Sequence, residues 1–361
     1  MVKHCNDNVS VILIKIAIWI ERILIPIILA MGFPGNFMLF RTMQNSLCRS
    51  MHMSVFFKAI AVVDSAVLFI LFGRWLESLH LFSMNELTDC GWSWGAGFAA
   101  HTISNWLLFI LNFDRALFVI HNDLSLRYFN KRNCKIMCAV VSLVTIALML
   151  HWPYILHYNR TSYQFSGTPC AFNKNAVKWG RVGWPILYNS LCIGLPYIGI
   201  LFCLFHLIMH VQRSRRKVGT GLRQNERHGF RSTIAISLFY ICCNTPYGIF
   251  QNFIGIILRT SSCHAQCAWI IVNILATLIA TLNHAIKFYL LASQTKFILT
   301  TVRSKKLHTV PNGGSKLCNN IEYFANISYP RKEAYAWPDL IEMSCDERKF
   351  SSTAKSFRIS L

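Results

Sequence analysis

Charge drops out of the chain in long stretches. Ile23–Phe40 is free of Asp, Glu, Lys and Arg and runs into Arg41, and Ala59–Gly73 holds one acid, Asp64, before Arg74. Cys90–Phe113, Ile136–Asn159, Val182–Gln212, Ser232–Leu258 and Thr260–Ile286 carry no charge. A spanning helix needs ~20 predominantly apolar residues, and these runs reach that length once the first two are extended outward by a turn or two. A membrane barrel would show alternating segments of ~10 residues instead. The pattern predicts an all-α membrane protein, a bundle of seven transmembrane helices.

Composition agrees. The 361 residues are 54% hydrophobic and only 14% charged, about half the charge of an ordinary soluble domain. Collagen-like, coiled-coil and disordered chains are excluded, and so is a soluble enzyme, which could not carry such long uncharged runs. The net charge of +21 is distributed unevenly. Arg41 and Arg49 follow the first run. Arg127, Lys131, Arg132 and Lys135 follow the third. Arg213, Arg215, Arg216, Lys217, Arg223, Arg227 and Arg231 follow the fifth, and eleven Lys or Arg lie in 294–361. The alternate loops are poor in base, with none in 78–90 and four in 158–182. Cytoplasmic loops carry the Lys/Arg excess, so the N-terminus is expected outside and the C-terminus inside, in a multi-pass protein of the plasma membrane. The excess follows one membrane face, which favours anionic inner-leaflet lipid as its partner over nucleic acid.

Met1–Ser10 reads as a short outer N-terminus and Val11–Ile20 as the approach to the first helix; a cleaved signal is the alternative, but Glu21-Arg22 stands where small residues would mark a cleavage site. A seven-helix unit is expected over 1–304, with a short amphipathic eighth helix beginning at Gln294–Thr301. The polar, mixed-charge tail of 305–361 is expected to be disordered. No nucleophile–base–acid set, metal triad or phosphate loop appears, so the chain reads as a non-enzyme without cofactor or metal.

Short motifs recur at matching depths in these runs. Gly32-Phe33-Pro34-Gly35-Asn36 closes the first, and Ile60-Ala61-Val62-Val63-Asp64 lies in the second. Asp114-Arg115 comes twenty-five residues after Cys90 in the third. Pro196 lies in the fifth, Cys243-Asn244-Thr245-Pro246 in the sixth and Asn283-His284-Ala285-Ile286-Lys287-Phe288 in the seventh, with Phe297 beyond. Their order and spacing resemble the rhodopsin-like G-protein-coupled receptors across the whole bundle. The departures mark a divergent member: Ala116 replaces the tyrosine of Asp-Arg-Tyr, Asn244 the tryptophan of Cys-Trp-x-Pro, Lys287-Phe288 the Asn-Pro pair and Leu291 the tyrosine after it. Phenylalanine in place of that proline is similar to some invertebrate neuropeptide receptors of the FMRFamide-like kind.

The resemblance implies an extracellular ligand and a heterotrimeric G protein as partners, and arrestin recruited to a tail containing Ser351, Ser352, Thr353 and Ser356. It also implies a disulfide between Cys90 and Cys170, with free thiols as the alternative. Cys263 and Cys267 could form a local bridge, or bind metal together with His264. Arg115 would be clamped in the resting state by Asp114 and by Glu226, which lies twenty residues before Pro246, ~30 Å along a helix. Activation would then swing the sixth helix outward about Pro246. The alternative for Glu226 is a solvated charge between Arg223 and Arg227.

Asp64, Ser104 and Asn283 stand where many relatives hold sodium. Lys287 would supply the positive charge itself by pairing with Asp64, and snorkelling to the inner surface is its alternative. Lys287 lies too far inward for a retinal Schiff base, whose position is Thr281, and Gly97 stands where an aminergic receptor has its aspartate. The mouth is expected to be lined by Arg74, Trp75 and Glu77, by Trp94, Phe98 and His101, and by Tyr247, Gln251, Asn273 and Thr277. These groups suit a small peptide, with Arg74 taking a carboxylate or carbonyl and Glu77 a basic side chain; a local Arg74–Glu77 pair is the alternative. Glycosylation is expected at Asn8 and Asn159 and not at Asn326. A non-peptide chemosensory ligand, a receptor that no longer signals, and a transporter or channel are the competing readings, the last without the expected repeat symmetry.

Overall fold

In lipid the backbone must satisfy its own hydrogen bonds, and helices do so within each segment. The computed structural model describes residues 8–44, 52–159, 170–216, 224–249 and 263–307. The long helices are α1 (Asn8–Thr42), α2 (Met53–Ser78), α3 (Cys90–Ile120), α4 (Lys131–Met149), α5 (Leu195–Arg216), α6 (Gln224–Ile249) and α7 (Cys263–Leu307). Among the described residues, six helices are long and apolar enough to cross a membrane. The element α6 is not among those six; its first turns, Gln224-Asn225-Glu226-Arg227-His228, are polar, and residues 250–262, which continue the sixth uncharged run, lie outside the described residues. Residues up to Lys296 form one compact unit and Phe297–Leu361 a second, of which 297–307 are helical. The expected eighth helix, Gln294–Thr301, falls within α7 as bounded, its side chains outside the described residues together with the tail from 308.

The centre of the bundle is α3, which buries Leu107, Leu108 and Leu111 together with Thr102, Ser104, Asn105, Asn112 and Asp114. A core of Leu39, Phe56, Ile60, Ile200, Ile236 and Tyr240 packs around it. Large apolar side chains on other faces, such as Phe37, Phe69, Leu143, Ile198 and Phe202, are exposed along the spans, as lipid contact requires. Close approach of α1 to its neighbours depends on Gly32, where an added Cβ would meet Leu68 at 2.4 Å and Ala285 at 3.1 Å.

One short β element stands among the helices. Leu156–Tyr158 (β1) and Cys170–Phe172 (β2) form an antiparallel hairpin in which Tyr158 faces Cys170. Cys170 is bonded to Cys90 with Cα atoms 5.8 Å apart, which ties the hairpin to the start of α3. Asp89 strengthens the same joint. Its Oδ1 accepts from the N–H of Cys90 (2.7 Å), capping α3, and from the N–H of Tyr158 (2.5 Å). It does this at φ 63° and ψ 146°, outside the left-handed helical well that aspartate visits most readily.

Next to the bridge, Gly91 lets α3 pass against backbone. A Cβ there would stand 2.4 Å from Pro153 Cα and 2.6 Å from the carbonyl oxygens of Trp152 and Leu156. Backbone cannot yield as a side chain can, so Gly91→Ala is expected to cost at least the ~1–3 kcal/mol typical of overpacking. Gly97→Ala, whose Cβ would find nothing nearer than 3.7 Å, is expected to be neutral. Thermal unfolding of the two purified variants measures the contrast; equal midpoints would contradict the packing.

Candidate functional site

Three polar constellations lie at different depths of the apolar bundle. The deepest lies between α2, α3 and α7. Asp64 is fully buried and Lys287 is 3% exposed, and Lys287 Nζ donates to Asp64 Oδ2 (2.8 Å), to Oδ1 (3.1 Å) and to Ser104 Oγ (3.0 Å). Ser104 in turn donates to Asp64 Oδ1 at 2.7 Å. The ammonium thus occupies the space between the carboxylate and the serine and does not snorkel. A charged pair in such surroundings is tolerated when its remaining valences are satisfied, and two histidines supply the rest. His284 Nδ1 lies 2.6 Å from Asp64 Oδ1, and His284 Nε2 lies 3.0 Å from His101 Nδ1. Asn36 donates to the His284 carbonyl at 3.2 Å. Asn283, expected at this site, is buried, and its amide atoms have no hydrogen-bond partner among the described residues.

The second constellation closes the far end of α3. Asp114 Oδ2 accepts from Arg115 Nη2 (2.9 Å) and meets His52 Nε2 at 3.0 Å, while Oδ1 accepts from Ser125 Oγ at 2.9 Å. Ser125 belongs to a short helix, Asn122–Tyr128, that follows α3. The next residue, Phe129, is buried against Phe56 and Phe113. One carboxylate therefore holds the arginine, the start of α2 and the connection to α4. Glu226 belongs to α6, and its side chain lies outside the described residues.

The third lies at the disulfide end. Arg74 Cζ sits 4.6 Å above the ring of Trp94, a cation–π contact, within electrostatic range of Glu21, Glu77 and Tyr247. Phe98 stacks on Trp152 with centroids 5.0 Å apart and meets Tyr188 edge-on at 4.8 Å. Tyr247 packs against this aromatic cluster. Thr277 bonds the Asn273 carbonyl on the same face of α7.

Two residues expected at the mouth are turned to other tasks. Trp75 faces α1, where its Nε1 donates to the Arg22 carbonyl at 3.0 Å, and Arg22 donates back to the Ser78 carbonyl. The carboxylate of Glu77 accepts from Asn85 at 2.9 and 3.0 Å and from Ser83 at 3.3 Å, fastening the short helix Met84–Thr88. Gln251 and the side chains of Asn8, Cys263 and Cys267 lie outside the described residues. Asn159 follows β1.

Polar contacts also join α6 to its neighbours around Pro246. Tyr197 on α5 shares a 2.6 Å hydrogen bond with Thr245, and buried Ser237 donates to Asn112 on α3 at 2.6 Å. Asn244, where the family has tryptophan, turns back to donate to the Tyr240 carbonyl at 3.0 Å. Before α5, the helix is widened to π geometry at Trp179–Gly183 and Tyr188–Gly194, a form that occurs mostly as local bulges, frequently at functional sites.

No curated protein matches the chain. The family model of the 7 transmembrane receptor (rhodopsin family) matches residues 35–286, well over half of the sequence and inclusive of the three constellations apart from Glu21 and Lys287. With helices able to cross a membrane and the Cys90–Cys170 bridge already in place, this match makes the chain a member of the rhodopsin family of seven-transmembrane receptors.

Proposed function

We propose that the protein is a plasma-membrane receptor with its N-terminus outside, seven helices across the bilayer and a small peptide as its ligand, and that it signals through a heterotrimeric G protein when α6 swings outward. Support for the ligand class comes from the disulfide end. Arg74 lies over Trp94 beside an aromatic wall of Phe98, Trp152 and Tyr188. A few placed polar groups on an apolar surface are what small-ligand sites use, and a guanidinium among aromatics suits the carboxylate or amide carbonyl of a short peptide. Glu77 is withdrawn from this role by Asn85 and Ser83. Arg74 is thereby the charged contact that remains.

The observation that carries the signalling reading is the Asp114 cluster, which engages Arg115 and leaves its side chain 12% exposed. The Tyr197–Thr245 and Asn112–Ser237 bonds hold α6 against α5 and α3. This is a resting arrangement whose release exposes Arg115 at the basic face. Asp64–Lys287 takes the place of a sodium site, so ligand affinity should not change when sodium is replaced by choline.

A peptide library applied to cells expressing the receptor with a promiscuous G-protein reporter tests the reading. Some short peptide is expected to give a saturable response, lost in Arg115→Ala at equal surface expression and shifted at least tenfold to higher concentration in Arg74→Ala. A response to non-peptide compounds alone would overturn the peptide class. Current or uptake without G protein would overturn the receptor reading.

A further inference from the structure

The two histidines beside the buried ion pair form a chain with a direction. An ionised carboxylate only accepts, so His284 must present N–H from Nδ1 to Asp64, 2.6 Å away. The charged and titratable groups that face His284 are Asp64 on α2, His101 on α3 and Lys287 on α7; α1 contributes only Asn36, to its carbonyl. Lys287 already balances Asp64. A further cation in this buried space would be uncompensated and therefore costly, so the imidazoles are uncharged. In a neutral imidazole one nitrogen donates and the other accepts. His284 Nε2 is then an acceptor, His101 Nδ1 carries the proton between them at 3.0 Å, and His101 Nε2 is left with a bare lone pair. That nitrogen has no partner among the described residues. His101 is only partly buried and lies one turn inward of Phe98, under the aromatic wall.

We propose that His101 Nε2 is a hydrogen-bond acceptor at the floor of the ligand site, and that the charge of Lys287 sets this polarity through His284. Resting on the peptide-receptor reading, the proposal specifies it: the ligand group seated over His101 is a donor, such as an amide N–H, a hydroxyl or a guanidinium, and not a carboxylate. Arg74 and His101 then read opposite groups of one ligand, an acceptor near Trp94 and a donor one level deeper. Removing the ammonium alone would leave Asp64 uncompensated. His284 would take a second proton and donate from Nε2, and His101 would become an Nε2–H donor. The floor would change sign although no residue in contact with the ligand had changed.

Nitrogen NMR of the full-length, unliganded receptor labelled with ¹⁵N-histidine tests this, with His101→Gln and His284→Gln spectra for assignment. The wild type is expected to show a pyridine-type (unprotonated) Nε2 at His101, and so is Lys287→Arg, which keeps both the charge and the carboxylate. Lys287→Met alone is expected to show a pyrrole-type (protonated) Nε2. A pyrrole-type Nε2 in the wild type overturns the proposal, and so does a folded Lys287→Met whose His101 is unchanged. Should Lys287→Met not fold, the wild type and Lys287→Arg still decide. Since no ligand enters the measurement, its result is independent of whether any peptide activates the receptor.

Discussion

Asp64→Ala is expected to destabilise the receptor by ~3–5 kcal/mol, the cost of leaving one half of a buried ion pair without the other, and Asp64→Asn with Lys287→Met is expected to recover most of it. The reason is geometric. Both oxygens of Asp64 are used, by Lys287, Ser104 and His284, and Asp64 is fully buried while Lys287 is nearly so. In Asp64→Ala the ammonium keeps only the 3.0 Å contact to Ser104. The double swap removes both charges and retains side chains of similar volume, a change that is often neutral for buried pairs. Thermal unfolding in detergent and cell-surface abundance both read the difference. A single variant as stable as the double one would mean that the pair contributes nothing to holding α2 against α7.

The pair itself was legible from depth. Asp64 and Lys287 fall at one level when the second and seventh runs are laid antiparallel, and intramembrane charges seek partners. The histidines' place at this pair is legible in principle, although the sequence reading puts His101 at the mouth and gives His284 no role. His101 stands three residues before Ser104 and His284 three before Lys287, and residues at that spacing share a helix face, so each histidine had to point at the same polar centre. Arg74 and Trp75 are neighbours on a helix and point ~100° apart, so both cannot face the mouth squarely, and Trp75 is the one that faces α1. His52 and Ser125 gave no such signal. Both lie at the ends of connections, where no periodicity fixes direction, and only the folded chain brings them to Asp114. The same holds for Asp89, whose bond to the Tyr158 N–H joins residues far apart in sequence.

Asp114→Asn is expected to raise basal G-protein signalling by roughly an order of magnitude or more at matched surface expression. Asp114 is fully buried and receives Arg115, His52 and Ser125 together. Bonds to a charged group are worth ~1.5–3 kcal/mol each, and each ~1.4 kcal/mol changes a population ratio tenfold. An asparagine keeps the shape but carries no charge and offers one acceptor oxygen in place of two. Arg115 loses its ionic attraction, so the balance moves toward states in which it leaves the cluster and faces the cytoplasm. Ser125→Ala, which removes one neutral donor, is expected to raise basal signalling less, and His52→Ala to fall between them. This ranking separates a lock centred on the carboxylate from simple loosening of the fold, because loosening would lower surface expression in step with signalling. Equal basal activity in Asp114→Asn and wild type, at equal abundance, would show that Arg115 is not restrained by this cluster and that the resting state is held elsewhere, with Glu226 on α6 the next residue to neutralise.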